Sequence, residues 1–180
     1  ALSGTLEASV HSGHYKLRIS WSATQNHANN TSTITAKMYL VLDPSWSLNI
    51  AKRDMITVID REAFPVKTPA ISSSGGETIL LGTVSKVVTH NADGSRQVAI
   101  NTSFPILATI SGTYHNNIFV EGTITLDTIR GVQLFSVLLE LLRRLFLRFT
   151  VVDKLLDKRL ICLKLCRELF KSCKLGVSHY

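Results

Sequence analysis

Strict alternation of apolar and polar residues runs through the first two thirds of the chain. In Tyr15-Lys-Leu17-Arg-Ile19-Ser-Trp21 every second side chain is apolar, the mark of an antiparallel strand with one face buried. Ile34 to Leu40, Val98 to Phe104 and Ile118 to Leu126 repeat the pattern. Shorter strands are predicted at Gly4 to Val10, Trp46 to Ile50, Met55 to Ile59 and Thr78 to Thr89, the last long enough to bend or to carry a bulge at Gly82. Turn chemistry separates these runs: His11-Ser-Gly13, Asn26 to Asn30, Asp43-Pro44, Ser72 to Gly76 and Asn91-Ala-Asp-Gly94, which reads as a hairpin turn with Gly94 at positive φ. Seven to nine short strands at this spacing predict an all-β fold, an immunoglobulin- or fibronectin-III-like antiparallel β-sandwich, with a small barrel as the alternative. No helix of useful length is predicted before Ile129.

After Ile129 the pattern changes. Val132 to Leu175 is rich in Leu, Lys and Arg and lacks proline and glycine, so it reads as helical. Leu134, Leu138, Leu141, Leu142 and Leu145 keep helical spacing, although apolar residues fall on nearly all sides up to Phe149. The expected organisation is a β-sandwich module over 1–129 and a basic, Leu-rich helical tail over 130–180.

Composition sharpens this boundary. Of 20 Lys/Arg and 13 Asp/Glu, nine of each precede Arg130, so the entire net charge of +7 lies in the tail. All four prolines and eight of ten glycines fall before it, and all three cysteines (Cys162, Cys166, Cys173) after it. The basic balance is therefore no argument for nucleic acid, which is not an expected partner. The N-terminal residues have neither the basic start nor the apolar run of a signal peptide, and Glu140, Arg143, Arg144 and Arg148 interrupt the most apolar stretch of the tail. A membrane partner is expected only if the tail helix is genuine.

Candidate chemistry is sparse. The histidines His11, His14, His27, His90, His115 and His179 show no spacing that gathers three ligands, so no metal or other cofactor is expected and they read as surface or loop residues. Asp43, Asp54, Asp60 and Glu62 are interleaved with Lys52, Arg53 and Arg61, an ordinary solvated face. No nucleophile elbow or phosphate-cradling glycine loop is present, and no catalytic residue is assigned. Asn-x-Ser/Thr sequons at Asn29, Asn30 and Asn101 matter only in a secretory pathway. Trp21, in phase with Tyr15, Leu17 and Ile19, reads as core. Trp46 and Tyr114 stand beside polar loops, where an aromatic ring stacks on sugars, and are the candidate glycan contacts.

Several motifs occur in order: Ser3-Gly-Thr5, Ser12-Gly-His-Tyr-Lys-Leu-Arg-Ile-Ser-Trp-Ser-Ala-Thr-Gln25, Asn30-Thr-Ser-Thr-Ile-Thr-Ala36, Pro69-Ala-Ile-Ser-Ser-Ser-Gly-Gly76, His90-Asn-Ala-Asp-Gly-Ser95, Ala108-Thr-Ile-Ser-Gly-Thr-Tyr114 and Gly122 to Ile129. Over nearly all of 1–129 this resembles the minor structural, tail-tip host-specificity proteins of long-tailed phages (siphoviruses) of Gram-positive hosts, a domain of unknown function. The resemblance implies a non-enzymatic structural or adhesive module in the virion tail, with other tail and baseplate proteins as partners. Host cell-wall polysaccharide is a further expected partner, and a homo-oligomer a further assembly. The other reading is a carbohydrate-binding module of a secreted or cell-surface protein.

The chain departs from that family in two places. Ala51 to Val66 is more charged than expected, and Thr128-Ile129 is followed by Arg130-Gly131 instead of Pro-Arg and further Ser/Thr/Gly-rich modules. Loss of one C from ATT-CCG-CGG converts Ile-Pro-Arg to Ile-Arg-Gly, so a frameshift near Arg130 accounts for the joint switch in Leu, Cys, Gly, Pro and charge.

Overall fold

A computed structural model describes residues 1–130, 137–146 and 164–169. The chain divides into two compact units, Ala1–Ser136 and Val137–Tyr180. In the first unit the alternating runs form strands, as expected: β1 (Ser3–Val10), β2 (Tyr15–Asn26), β3 (Thr31–Leu42), β4 (Leu48–Ile50), β5 (Asp54–Ile59), β6 (Glu62–Lys67), β7 (Ile71–Ser73), β8 (Thr78–Thr89), β9 (Arg96–Phe104), β10 (Ala108–Ile110), β11 (Thr113–His115) and β12 (Ile118–Leu126). Four-stranded sheets ordered β1-β2-β3-β8 and β12-β9-β5-β6 make the all-β sandwich, with two-stranded ribbons β4-β7 and β10-β11 at the loops. All pairings are antiparallel.

The apolar phase of each strand faces the core. Leu17 and Ile19 of β2, Ile34, Ala36, Met38 and Leu40 of β3, Val98 and Phe104 of β9 are fully buried, and Trp21 lies in the same cluster. Each such large side chain contributes roughly 1.5–3 kcal/mol relative to exposure. Two threonines on this buried phase, Thr57 of β5 and Thr102 of β9, satisfy each other with a hydroxyl–hydroxyl bond of 2.9 Å. That pairing makes the polar atoms tolerable in the interior.

The strand order differs from that of an immunoglobulin constant domain, in which the second and third strands belong to different sheets. Here β2 and β3 pair along their full length within one sheet. The Asn91–Gly94 turn also departs from the expected hairpin. It carries the chain from β8 in the first sheet to β9 in the second, and Gly94 adopts φ +78°.

The sheet edges approach each other on both sides. At one seam, Leu6 of β1 packs into the space left by Gly122 of β12. At the other, Val66 of β6 occupies the space beside Gly82 of β8, and Lys86 of β8 bonds Glu62 of β6 at 3.1 Å. The irregularity expected at Gly82 is there: the β3–β8 register jumps from Met38↔Gly82 to Tyr39↔Leu80, leaving Leu81 as the extra, buried residue. Strand β6, absent from the expected set, contains Pro65. A strand with no N–H at one position is tolerated at a sheet edge, which is where β6 lies.

In the second unit, residues 137–146 and 164–169 are helical, in line with the expected helical tail over those positions. Glu140 and Arg144 form an i,i+4 pair at 3.4 Å. Leu139, Leu142 and Phe146 face Leu165 and Leu169 across an apolar cleft of about 490 Å³. Among the described residues no helix is long and apolar enough to cross a membrane. Leu134, Cys162, Cys173 and His179 lie outside the described residues; Cys166 is exposed and unpaired.

Candidate functional site

One end of the sandwich gathers aromatic and imidazole rings from three separate segments. The turn Asp43–Trp46 follows β3 and is closed by the Trp46 N–H donating to the Asp43 carbonyl at 3.2 Å. The same carbonyl accepts from the Gly76 N–H at 3.0 Å. Gly75, at φ +104°, runs so close beneath the turn that a Cβ would lie 2.6 Å from the Trp46 backbone nitrogen. Only glycine fits both that conformation and that clearance. The turn read at Ser72–Gly76 is thus the mount for Trp46.

The β1–β2 connection supplies the other half. His11 and Ser12 take positive φ (52° and 55°) before Gly13, which folds the connection back on itself. His14 donates from Nδ1 to Asp43 Oδ2 at 3.1 Å, and the Lys16 ammonium donates to Oδ1 at 3.2 Å. These two bonds, the Lys16 one foremost, hold the Asp43 carboxyl below the usual carboxylate range. They also lock His14 where its ring stacks on Trp46, centroids 4.0 Å apart and planes 14° from parallel. His11 meets Trp46 edge-on at 5.1 Å and reaches His115 of β11, Nδ1 to Nε2, at 3.1 Å. Tyr15 meets Trp46 edge-on at 6.1 Å and donates its hydroxyl to the Ser47 carbonyl at 2.7 Å. Burial pushes the Tyr15 hydroxyl pKa up.

Beside this cluster runs an open groove of about 850 Å³. It is lined by Tyr15, the Ser45–Ala51 segment, Arg53 and Leu107–Ser111. A second groove, of about 910 Å³, follows the β1–β12 seam.

Of the two candidate glycan contacts, Trp46 is half-buried and lines the first groove. Tyr114 is 60% exposed on β11 and pairs in register with Thr109, a lining residue, so the two side chains share a face of the ribbon. The rings of Trp46 and Tyr114 are not in contact; Trp46 is surrounded instead by His11, His14 and Tyr15.

Of the histidines read as surface or loop residues, His27 is exposed, whereas His90, in the loop that follows β8, is buried at 4% exposure. His90 donates from Nδ1 to the Gly94 carbonyl and bonds Ser32 Oγ through Nε2, both at 2.7 Å. It is the buried clip of the inter-sheet turn. His11, His14 and His115 are half-buried members of the ring cluster, a grouping that sequence spacing does not reveal because it depends on β1–β2 and β10–β11 meeting in space. Among the described residues no group of three His, Cys, Asp or Glu is arranged to hold a metal ion.

No family model, curated protein or solved structure matches the chain.

Proposed function

We propose that the β-sandwich is a non-enzymatic structural and adhesive module of a phage tail tip that presents the Trp46 groove to host surface polysaccharide. The observation that carries this reading is the mounting of Trp46. A tryptophan held by a stacked imidazole, a pinned turn and a glycine beneath it offers a fixed apolar surface in the lining of a polar groove. Sugar rings stack on such surfaces while their hydroxyls bond to the polar walls, and pre-organisation lowers the ordering cost of binding. The order of motifs across 1–129 supports the phage setting over a secreted carbohydrate-binding module, for which the same groove would serve. The module's partners on this reading are the tail and baseplate proteins of the virion.

The test is pull-down of the full chain on purified cell walls from a panel of Gram-positive bacteria, comparing wild type with Trp46→Ala. Retention on some walls, lost in the variant while Trp21 still reports a folded core by fluorescence, supports the reading. Retention on none, or retention indifferent to Trp46, overturns it. Neighbouring genes for tail, holin and lysin proteins would separate the phage setting from the secreted one.

A further inference from the structure

Within the groove, Arg53 is the one charged side chain among the lining residues, and no carboxylate lines the walls to balance it. Five other Lys/Arg side chains of the sandwich are ion-paired: Lys16 with Asp43, Arg18 with Glu7, Lys67 with Asp54, Lys86 with Glu62 and Arg96 with Asp60. Arg53 takes part in none of the ion pairs found among the described residues, and its Nε is buried without a hydrogen-bond partner. A guanidinium N–H withdrawn from water and left unbonded is costly, and the charge of the group is answered by no carboxylate among the residues that line the groove.

The backbone that carries Arg53 is a firm mount. Its N–H donates to Thr68 Oγ1 at 3.0 Å, and the Thr68 N–H donates back to the Arg53 carbonyl at 2.9 Å. Thr68 itself is buried. Along the same walls Ser45, Ser47, Asn49, Thr109 and Ser111 add hydroxyl and amide groups of the kind that bond sugar hydroxyls.

We propose that the groove binds an anionic saccharide, with the Arg53 guanidinium pairing its carboxylate or phosphate oxygens and Trp46 backing a sugar ring. The proposal rests on the adhesive reading and names its ligand class. A planar fork of donors suits either anion, and a groove lined by one unbalanced positive charge disfavours cationic sugars. The volume lies within the usual range for small-ligand sites, roughly 300–1,000 Å³.

The experiment is interferometry on immobilised full-length chain with three soluble probes: trigalacturonic acid, its fully methyl-esterified form, and galactose 6-phosphate. Trigalacturonic acid should bind at least about tenfold tighter than the neutral ester, with an advantage that shrinks as salt rises. Arg53→Gln should abolish that preference, and Arg53→Lys should restore part of it, because charge returns without the fork. Both variants keep the two Thr68 bonds, which are made by the backbone, and thermal unfolding would verify that they fold. Binding of galactose 6-phosphate alone would assign the anion as phosphate and supports the proposal. Equal binding of acid and ester, binding of no probe, or a preference unchanged in Arg53→Gln overturns it. Cell-wall retention that depends on Trp46 but not on Arg53 would sink the anionic assignment and leave the adhesive reading standing.

Discussion

The backbone N–H of Ile129 donates to the carbonyl of Gly94 at 3.0 Å, closing the last segment of the sandwich over the turn that links its two sheets. Ile129 is fully buried. Gly94 sits at φ +78°, and a Cβ there would lie 2.2 Å from the Ile129 carbonyl oxygen. The ordered β-unit therefore extends through the last residue before the change in composition. Gly94→Ala should destabilise the sandwich by about 1–3 kcal/mol, from backbone strain and the displaced Ile129 segment together. Urea unfolding followed by Trp21 fluorescence would read this as a lower midpoint; an unchanged midpoint would show that Ile129 is not anchored there.

A similar close approach holds the β6–β8 seam. The Cβ of an alanine at position 82 would lie 2.3 Å from Val66 Cγ1, and a short branched side chain on a paired strand has little room to give. Gly82→Ala alone should cost about 1–3 kcal/mol by overpacking. Val66→Ala removes the obstructing methyls, so the double variant should be more stable than the sum of the single losses predicts. A double-mutant cycle in urea measures that coupling. Strict additivity would mean that β6 and β8 do not touch in solution.

The strands of the sandwich were legible because their signal is local. In Tyr15–Trp21 and Ile34–Leu40 the same residues that alternate in the sequence alternate between core and surface. What stayed hidden depends on contacts between distant segments. The Asn91–Gly94 turn has hairpin chemistry, yet its partners are the buried His90 ring and Ile129, and these send β9 to the other sheet. Strand β6 was masked by its charges and Pro65, which are acceptable on an edge and would not be inside a sheet. At the candidate site, Trp46 was visible as an aromatic near polar loops. The imidazoles that fix it were not, since His14 and His115 are separated by a hundred residues and meet only through His11.

Acid should loosen the Trp46 end of the module. The Asp43 carboxyl is held below its ordinary value by Lys16 and His14, so the unfolded chain takes up that proton at a higher pH than the folded one. The sign follows: the contribution is complete above the unfolded carboxylate value near pH ~3.9 and is lost as pH falls through the lower folded value. Asp93, lowered by the Ser95 hydroxyl and backbone N–H, acts in the same window. Urea midpoints of wild type should therefore decline toward about pH 3, and Asp43→Asn should flatten part of that decline while lowering the midpoint at neutral pH. A decline of equal steepness in the variant would show that Asp43 is not paired in solution.

The two units should behave differently when separated. Within the described helix of the second unit, Val137, Leu139, Leu141 and Phe146 are each more than half exposed, and Cys166 presents a free thiol. Exposed large apolar side chains of this kind promote association or adsorption, and accessible thiols add cross-linking. Residues 1–130 keep both seams, the Ile129 anchor and the whole apolar core. That segment expressed alone should stay soluble and unfold cooperatively, whereas the full chain should sediment or bind vesicles. If a frameshift produced the tail, the gene read in a neighbouring frame beyond Ile129 should encode a Ser/Thr/Gly-rich β-module. A full chain as soluble and monomeric as 1–130, together with no such module in either alternative frame, would mark the Leu-rich segment as a genuine second unit of this protein.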